Sequence, residues 1–89
     1  MTEKITEKIL EIINLTDMLT KSLSTFSYDI NDDCVLRIKF NFTEKGDLFF
    51  CLSLINNAGK IIDKEQVYML KRENIKEKVE VLLSRNNIN

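Results

Sequence analysis

The side chains that could carry chemistry are two cysteines, one acidic segment and one basic segment, and the 89 residues contain no histidine. Without histidine, the chain lacks Ser-His-Asp and Cys-His nucleophilic sites and the usual general base near neutral pH. Its two glycines, Gly46 and Gly59, are too far apart to form a glycine-rich phosphate-binding loop. The sequence therefore predicts no catalytic residue, no metal and no cofactor, and it favours a protein that is not an enzyme.

The two cysteines, Cys34 and Cys51, predict neither a disulfide framework nor a zinc site, because both would need more cysteines or histidines at close spacing. We expect Cys34 to be a small buried residue at the start of a strand. No apolar run approaches the roughly 20 residues of a membrane span. The amphipathic N-terminal segment contains acids, unlike a signal peptide. These features predict a cytoplasmic protein that does not enter the membrane.

The acidic segment spans residues 29–33 and reads Asp-Ile-Asn-Asp-Asp. Asp29, Asn31 and Asp33 match the first three ligand positions of an EF-hand calcium loop, but Cys34 stands where that loop needs glycine. We therefore predict an acidic surface patch rather than a calcium site. Its members are Asp29, Asp32 and Asp33, and such a patch could attract a basic partner.

Five elements are predicted to position these segments. Apolar residues recur every three or four positions in the first part of the chain, which is typical of an amphipathic helix. The period changes to two from Cys34 onward, which indicates strands, and Asn74-x-x-Glu77 matches a capping box that opens a second helix. The predicted ranges are a helix at 3–26, strands at about 34–42, 48–55 and 60–69, and a helix at 74–85.

Two three-residue segments that end in glycine predict hairpin turns, because glycine tolerates the left-handed conformation that closes such a loop. The segment Glu44-Lys45-Gly46 sets a register in which Leu36 faces Leu54. The segment Asn57-Ala58-Gly59 sets the register of the next hairpin. In that register the third strand turns mostly polar side chains inward, which indicates an edge strand with a candidate bulge near Asp63.

The predicted fold class is α+β with the order α-β-β-β-α: a single domain over 1–89 in which two helices pack on one face of a three-stranded antiparallel meander. A hydrophobic fraction of 44% and a charged fraction of 30% suit such a domain. The predicted core consists of Ile9, Ile12, Leu19, Leu23, Leu36, Ile38, Phe40, Phe50, Leu52, Leu54, Val79 and Leu82.

The other sheet face is predicted to carry two apolar rows with charges between them and no helix above. We call the register of the second hairpin without a bulge the straight register. It would place Arg37 in one row with Asp63, and Lys39 in one row with Glu65, so it predicts a stripe of mutually neutralised charges. Apolar rows beside charges are typical of a partner-binding or homodimer surface, although an ordinary solvated sheet face would also fit. The predicted contact residues are Val35, Arg37, Lys39, Phe49, Ile55, Ile61 and Val67.

The leading hypothesis is a small intracellular protein that binds another protein, as an adaptor, an inhibitor or an immunity-type factor, and that could form a homodimer. Lys, Ile and Asn supply 30 of the 89 residues, whereas Ala, Gly, Arg and Pro together supply six. This bias indicates an AT-rich genome, such as that of a low-GC bacterium, a phage or a mobile element.

The second hypothesis is RNA binding, with nucleic acid as the less favoured partner. The order α-β-β-β-α resembles that of double-stranded RNA-binding domains, which place phosphate-binding lysines at the start of their second helix. Interleaved glutamates keep this helix close to neutral, and the whole chain carries a formal charge of −1. The residues that would contact phosphate are Lys71, Arg72, Lys76 and Lys78.

Overall fold

The computed structural model describes residues 1–15 and 25–88, and these residues form a small α+β fold with an antiparallel sheet. The elements, in chain order, are α1 (Thr2–Leu15), β1 (Thr25–Asp29), β2 (Cys34–Phe42), β3 (Leu48–Asn56), β4 (Ile61–Val67) and α2 (Arg72–Arg85). The strands lie side by side in the order β1-β2-β3-β4, so the described sheet has four strands rather than the predicted three. Neither described helix is long and apolar enough to cross a membrane.

The additional strand, β1, lies partly within the range predicted for the first helix. Phe26 and Tyr28 are half-buried against the core, whereas the residues between and beside them are exposed. This alternation is that of a strand with one buried face, and Phe26 pairs with Ile38 of β2. The predicted first helix is therefore wrong at its C-terminal end. The predicted core residues Leu19 and Leu23 lie outside the described residues.

The hairpin of β2 and β3 has the predicted register along its whole length, from Cys34↔Asn56 to Phe42↔Leu48. Its turn is closed by Gly46, whose φ of 88° lies in the left-handed region that glycine adopts without a steric penalty. Every apolar even-numbered residue of these two strands consequently faces the helices.

The hairpin of β3 and β4 starts in the same way and then changes register. Its turn contains Gly59 at φ 80°, and the predicted pair Ile55↔Ile61 is present. The register then shifts between Leu54 and Ile55, so that Leu54 pairs with Asp63. One extra residue in β4 therefore forms a β-bulge, and a slip of one residue moves every later side chain to the opposite face.

The bulge decides which side chains of β4 enter the core. Val67 pairs with Phe50 and is only 1% exposed, whereas Lys64 and Gln66 are exposed on the other face. The straight register predicted for this strand is therefore wrong after its first pair, whereas the predicted edge position and the candidate bulge near Asp63 are confirmed. The slip is favourable because it buries an apolar valine, in place of a glutamine that would need hydrogen-bond partners.

The two described helices contribute their buried residues to one core with the sheet, and that core includes Phe40. The ring of Phe26 meets that of Phe40 edge-on at a centroid distance of 6.1 Å. The centroid of the Phe50 ring lies 5.4 Å from that of Phe40. Burial of each large apolar side chain contributes roughly 1.5–3 kcal/mol. All predicted core residues within the described ranges are buried, namely Ile9, Ile12, Leu36, Ile38, Phe40, Phe50, Leu52, Leu54, Val79 and Leu82.

The start of α2 differs from the predicted capping, and its end has a cap of a different kind. The helix begins at Arg72, and the side chain of the N-cap residue Lys71 makes no capping hydrogen bond. Asn74 lies inside the first turn, so the predicted capping box is wrong. At the other end, Asn87 adopts φ 57°, and the Ile88 N–H donates to the Leu83 carbonyl at 2.9 Å. This pattern is a Schellman motif, which satisfies the last carbonyls of the helix.

Candidate functional site

The candidate site is the sheet face opposite the two described helices, which we call the open face. Residues paired across an antiparallel sheet lie side by side, so the pairings arrange its side chains in rows across the strands. The open face consists of Thr25, Ser27, Asp29, Val35, Arg37, Lys39, Asn41, Phe49, Cys51, Ser53, Ile55, Ile61, Lys64 and Gln66, and it continues to Tyr68.

The central row of the open face carries two cations. It runs from Ser27 through Arg37 and Ser53 to Lys64. Ser53 is only 8% exposed, Arg37 is half-buried and Lys64 is exposed, so the long cationic side chains form the surface of this row. Lys39 is exposed in the next row. These three cations form no ion pair within residues 1–15 and 25–88.

The acids predicted to neutralise this row lie on the other face of the sheet. Because of the bulge, Asp63 and Glu65 point towards α2, where Arg85 donates to both Asp63 oxygens at 3.0 and 2.9 Å and to Glu65 Oε1 at 3.2 Å. The predicted stripe, in which these acids would lie level with Arg37 and Lys39, is wrong. The open face consequently has a net positive charge in its centre.

The contacts with α2 hold Asp63 in its charged form. Hydrogen bonds from Arg85, and then from the Asn86 amide at 2.9 Å, keep the pKa of Asp63 below its ordinary value. Lys78 Nζ also lies 4.0 Å from Glu65 Oε1. Both acids are therefore partnered within the helix-covered side of the sheet, where they do not offset the cations of the open face.

An aliphatic row lies directly beside the cations, as predicted. Val35 pairs with Ile55, and Ile55 pairs with Ile61. Val35 and Ile55 are half-buried, and Ile61 is 46% exposed. Asp29 of β1 ends this row and is the one acid on the described open face.

The other end of the open face is aromatic. The rings of Phe49 and Tyr68 stack at a centroid distance of 4.9 Å, and the Tyr68 hydroxyl donates to Gln66 Oε1 at 2.6 Å. Val67, predicted as a contact residue at this end, is instead buried on the opposite face, and that placement is wrong. The straight register misses Lys64 and Tyr68 as contact residues because it turns both inward. The sequence contains a signal against that register, because Lys64 and Tyr68 are polar and are unfavourable in an apolar core.

The acidic patch lies at one corner of the sheet. Asp32 and Asp33 are exposed in the turn between β1 and β2, next to Asp29 at the end of β1. The Asn31 side-chain oxygen organises the turn by accepting hydrogen bonds from the N–H groups of Asp33 and Cys34 at 2.8 and 3.0 Å. Among the residues that the structure places, no group of three or more acids or cysteines is arranged to hold a metal ion.

The basic start of α2 is largely paired with acids. The ion pairs are Arg72–Glu3, Arg72–Glu7, Lys76–Glu3 and Lys78–Glu65. The hydrogen bond from Lys76 is the main reason that the pKa of Glu3 is lowered. Lys71 is exposed and has no ion pair in the described part of the chain. Three of these ion pairs join α1 to α2 and the fourth joins β4 to α2, and together they reduce the positive potential that phosphate binding would need.

A groove of about 310 Å³ adjoins the aromatic end of the open face. Tyr68 and Met69, each 58% exposed, form one wall, and the first turns of α2 form the other. Its volume is at the lower limit of small-molecule sites. It is lined by Gln66, Val67, Tyr68, Met69, Asn74, Glu77 and Lys78.

No family model, curated protein or solved structure matches this chain. Its function has therefore to be inferred from the chemistry of the open face. That face offers cations, aliphatic surface and a stacked aromatic pair. Such groups can bind a surface, whereas bond-breaking chemistry would require an activated nucleophile or a positioned base.

Proposed function

We propose that this protein acts by binding another protein through the open face, without catalysing a reaction. The observation that carries the proposal is a partly exposed aliphatic row directly beside three cations that have no ion-pair partner among the described residues. Apolar surface with charged groups at its side is the usual composition of a protein–protein contact. The cations would orient the partner and speed its association.

The dimensions of the open face indicate a small interface. Four strands about 4.8 Å apart and roughly 20 Å long present an area of about 400 Å². A standard interface takes about 800 Å² from each partner. A partner would therefore bind weakly through this face alone, or it would extend over the adjoining groove and the exposed Met69. A module of this kind suits an adaptor, an inhibitor or an immunity-type protein, each of which acts by occupying a surface.

Two matched substitutions test whether the open face is the binding surface. Ile61→Asp places a charge in the aliphatic row, whereas Val81→Asp makes the same change at an exposed position of α2. Tagged wild-type protein and both variants would be used to capture partners from the native host, with and without nuclease. We expect a stoichiometric protein partner to bind the wild type and Val81→Asp but not Ile61→Asp, while all three melt at similar temperatures.

Retention of the same partner by Ile61→Asp would contradict the proposal, because the aliphatic row would then lie outside the contact. Recovery of RNA alone, with every protein lost after nuclease treatment, would favour the RNA-binding hypothesis instead. In that case Lys71→Glu should weaken binding, since Lys71 is the basic residue at the start of α2 without an ion pair in the described structure.

A further inference from the structure

The three cations of the open face form a fixed triangle. Arg37 and Lys64 stand in one row on either side of Ser53, so two strand spacings separate their backbones by about 10 Å. Lys39 lies two residues along β2 from Arg37, which is about 7 Å. Because all three residues stand on strands of one sheet, the spacing of their backbones does not depend on loop conformation.

This triangle exists because of the bulge in β4. The bulge turns Asp63 and Glu65 towards Arg85 and leaves Lys64 on the open face. Asp29 is the one acid on the described open face, and it lies at the end of the aliphatic row rather than between the cations. The charged groups described on this face therefore amount to three cations against one acid.

A second copy of the chain does not complement this face. A two-fold contact between two open faces would bring like cations together, and like charges opposed at an interface are costly. The exposed edge of β4 is also a poor surface for strand addition, because it carries a bulge and Lys64, two features that protect sheet edges. Charge complementarity therefore points to a different molecule that carries acids.

The aliphatic row distinguishes an acidic protein from a nucleic acid. Val35, Ile55 and Ile61 lie directly beside the cations, so a phosphate backbone bound to the cations would also have to cover apolar surface. The chain as a whole has a formal charge of −1, whereas affinity for nucleic acid depends on many cations acting together. A protein segment can place carboxylates and apolar side chains next to each other.

We infer that the partner of the open face is an acidic protein segment whose carboxylates bind Arg37, Lys39 and Lys64 while a neighbouring apolar side chain packs on Val35, Ile55 and Ile61. Two carboxylates about 10 Å apart would match the separation of Arg37 and Lys64. This inference rests on the proposed function, because it identifies the class of partner that the same face binds.

The experiment selects binders from a displayed library of random peptides, using the immobilised protein. The test variant is Arg37→Glu/Lys64→Glu, and the control is Lys4→Glu/Lys8→Glu, which changes the net charge equally on the exposed side of α1. Wild type and control should select peptides with acids next to apolar residues. Affinity for a selected peptide should fall about tenfold or more in the test variant, because each change replaces attraction with repulsion.

The other outcomes separate this inference from the proposed function. If Ile61→Asp abolishes peptide binding but Arg37→Glu/Lys64→Glu does not, the open face binds a partner that is not acidic, and the inference alone fails. If neither variant affects any selected peptide, or no peptide binds, the proposed function fails too. Thermal melting of each variant establishes that a loss of binding is not a loss of folding.

Two further probes test the other possible occupants. A thymidine homopolymer that binds the wild type but not Arg37→Glu/Lys64→Glu, without selection of acidic peptides, would assign the face to nucleic acid and overturn the inference. Self-association in sedimentation velocity that the same variant abolishes would assign the face to a second copy and would also overturn it. We expect a monomer and no binding of the homopolymer at physiological salt.

Discussion

The two long hairpins of the sheet begin with equivalent turns and then diverge. Gly46 and Gly59 have φ values of 88° and 80°, and each closes a three-residue loop. The hairpin of β2 and β3 keeps one register through all its pairs, whereas the hairpin of β3 and β4 slips after Ile55↔Ile61. The turn therefore determines only the first pairs, and the side chains farther along decide whether that register continues.

The side chains of β4 explain the slip. A straight register would place Lys64, Gln66 and Tyr68 against the core, and burying polar groups without partners is costly. The bulge buries Val67 instead and brings Asp63 to Arg85 of α2. The same slip leaves Lys64 on the open face, so a local packing requirement produces the charge pattern on which the proposed binding depends.

Deleting one residue should have the largest effect, and the size of that effect should differ between the two hairpins. Deleting Arg37 from β2, which contains no extra residue, would interrupt its continuous register and move Leu36 out of the core. We expect the free energy of unfolding to fall by about 3 kcal/mol or more in chemical denaturation. Deleting Ile62 removes only the extra residue of the bulge and leaves Asp63 and Val67 on the helix side of the sheet, so it should cost about 1 kcal/mol or less. Equal losses in the two deletions would contradict the bulge.

A second prediction compares two adjacent positions of β4. Val67→Ala should lower the free energy of unfolding by about 2 kcal/mol, because it removes two buried methyl groups. Gln66→Ala should change it by no more than about 0.5 kcal/mol, since Gln66 is exposed. Urea denaturation of the two variants measures the difference. The straight register predicts the reverse order, which would contradict the structure.

A third prediction tests whether the two turns are equivalent. Gly46→Ala and Gly59→Ala should each cost about 1 kcal/mol, because alanine is strained at positive φ. An added Cβ would meet no atom within 4 Å at either position, so the cost should be conformational and similar in both variants. Thermal denaturation followed by circular dichroism measures it. A cost at one turn alone would show that the hairpins already differ at their turns.

The smallest predicted effect concerns acid. The pKa of Asp63 is lowered in the folded protein, mainly by Arg85. The resulting stabilisation is therefore fully present above the unfolded pKa of an aspartate, about 4, and is lost as the pH falls through the folded pKa. Arg85→Gln should remove part of the stability at neutral pH but lose less on acidification than the wild type. The measurement is the melting temperature of both proteins from neutral to strongly acidic pH. Equal falls in the wild type and in Arg85→Gln would contradict the role of Arg85.

Much of the fold follows from the sequence because it depends on local periodicity and turn chemistry. The register of β2 and β3, the left-handed glycines and the buried stripe of α2 are all predictable in this way. Strand β1 is not, because Phe26 continues the helical spacing of the preceding apolar residues, and that spacing outweighs the short alternation of residues 25–29.

The candidate site is less predictable, because its charge depends on contacts between distant elements. The sequence places Val35, Ile55 and Ile61 in one row correctly, since that row lies within the first pairs after the turns. The sequence predicts a candidate bulge near Asp63 but not the partner of that acid, because Arg85 lies at the far end of α2 and no local pattern brings it to β4.

The origin of the positive charge on the open face is tested most directly by the pKa of Asp63, measured by NMR titration of its side-chain carboxyl carbon. We expect a pKa below the ordinary value in the wild type, a higher pKa in Arg85→Gln and no change in Arg37→Gln, because the bulge pairs Asp63 with α2. A rise in Arg37→Gln, with no response in Arg85→Gln, would place Asp63 on the open face and contradict the origin of its positive charge.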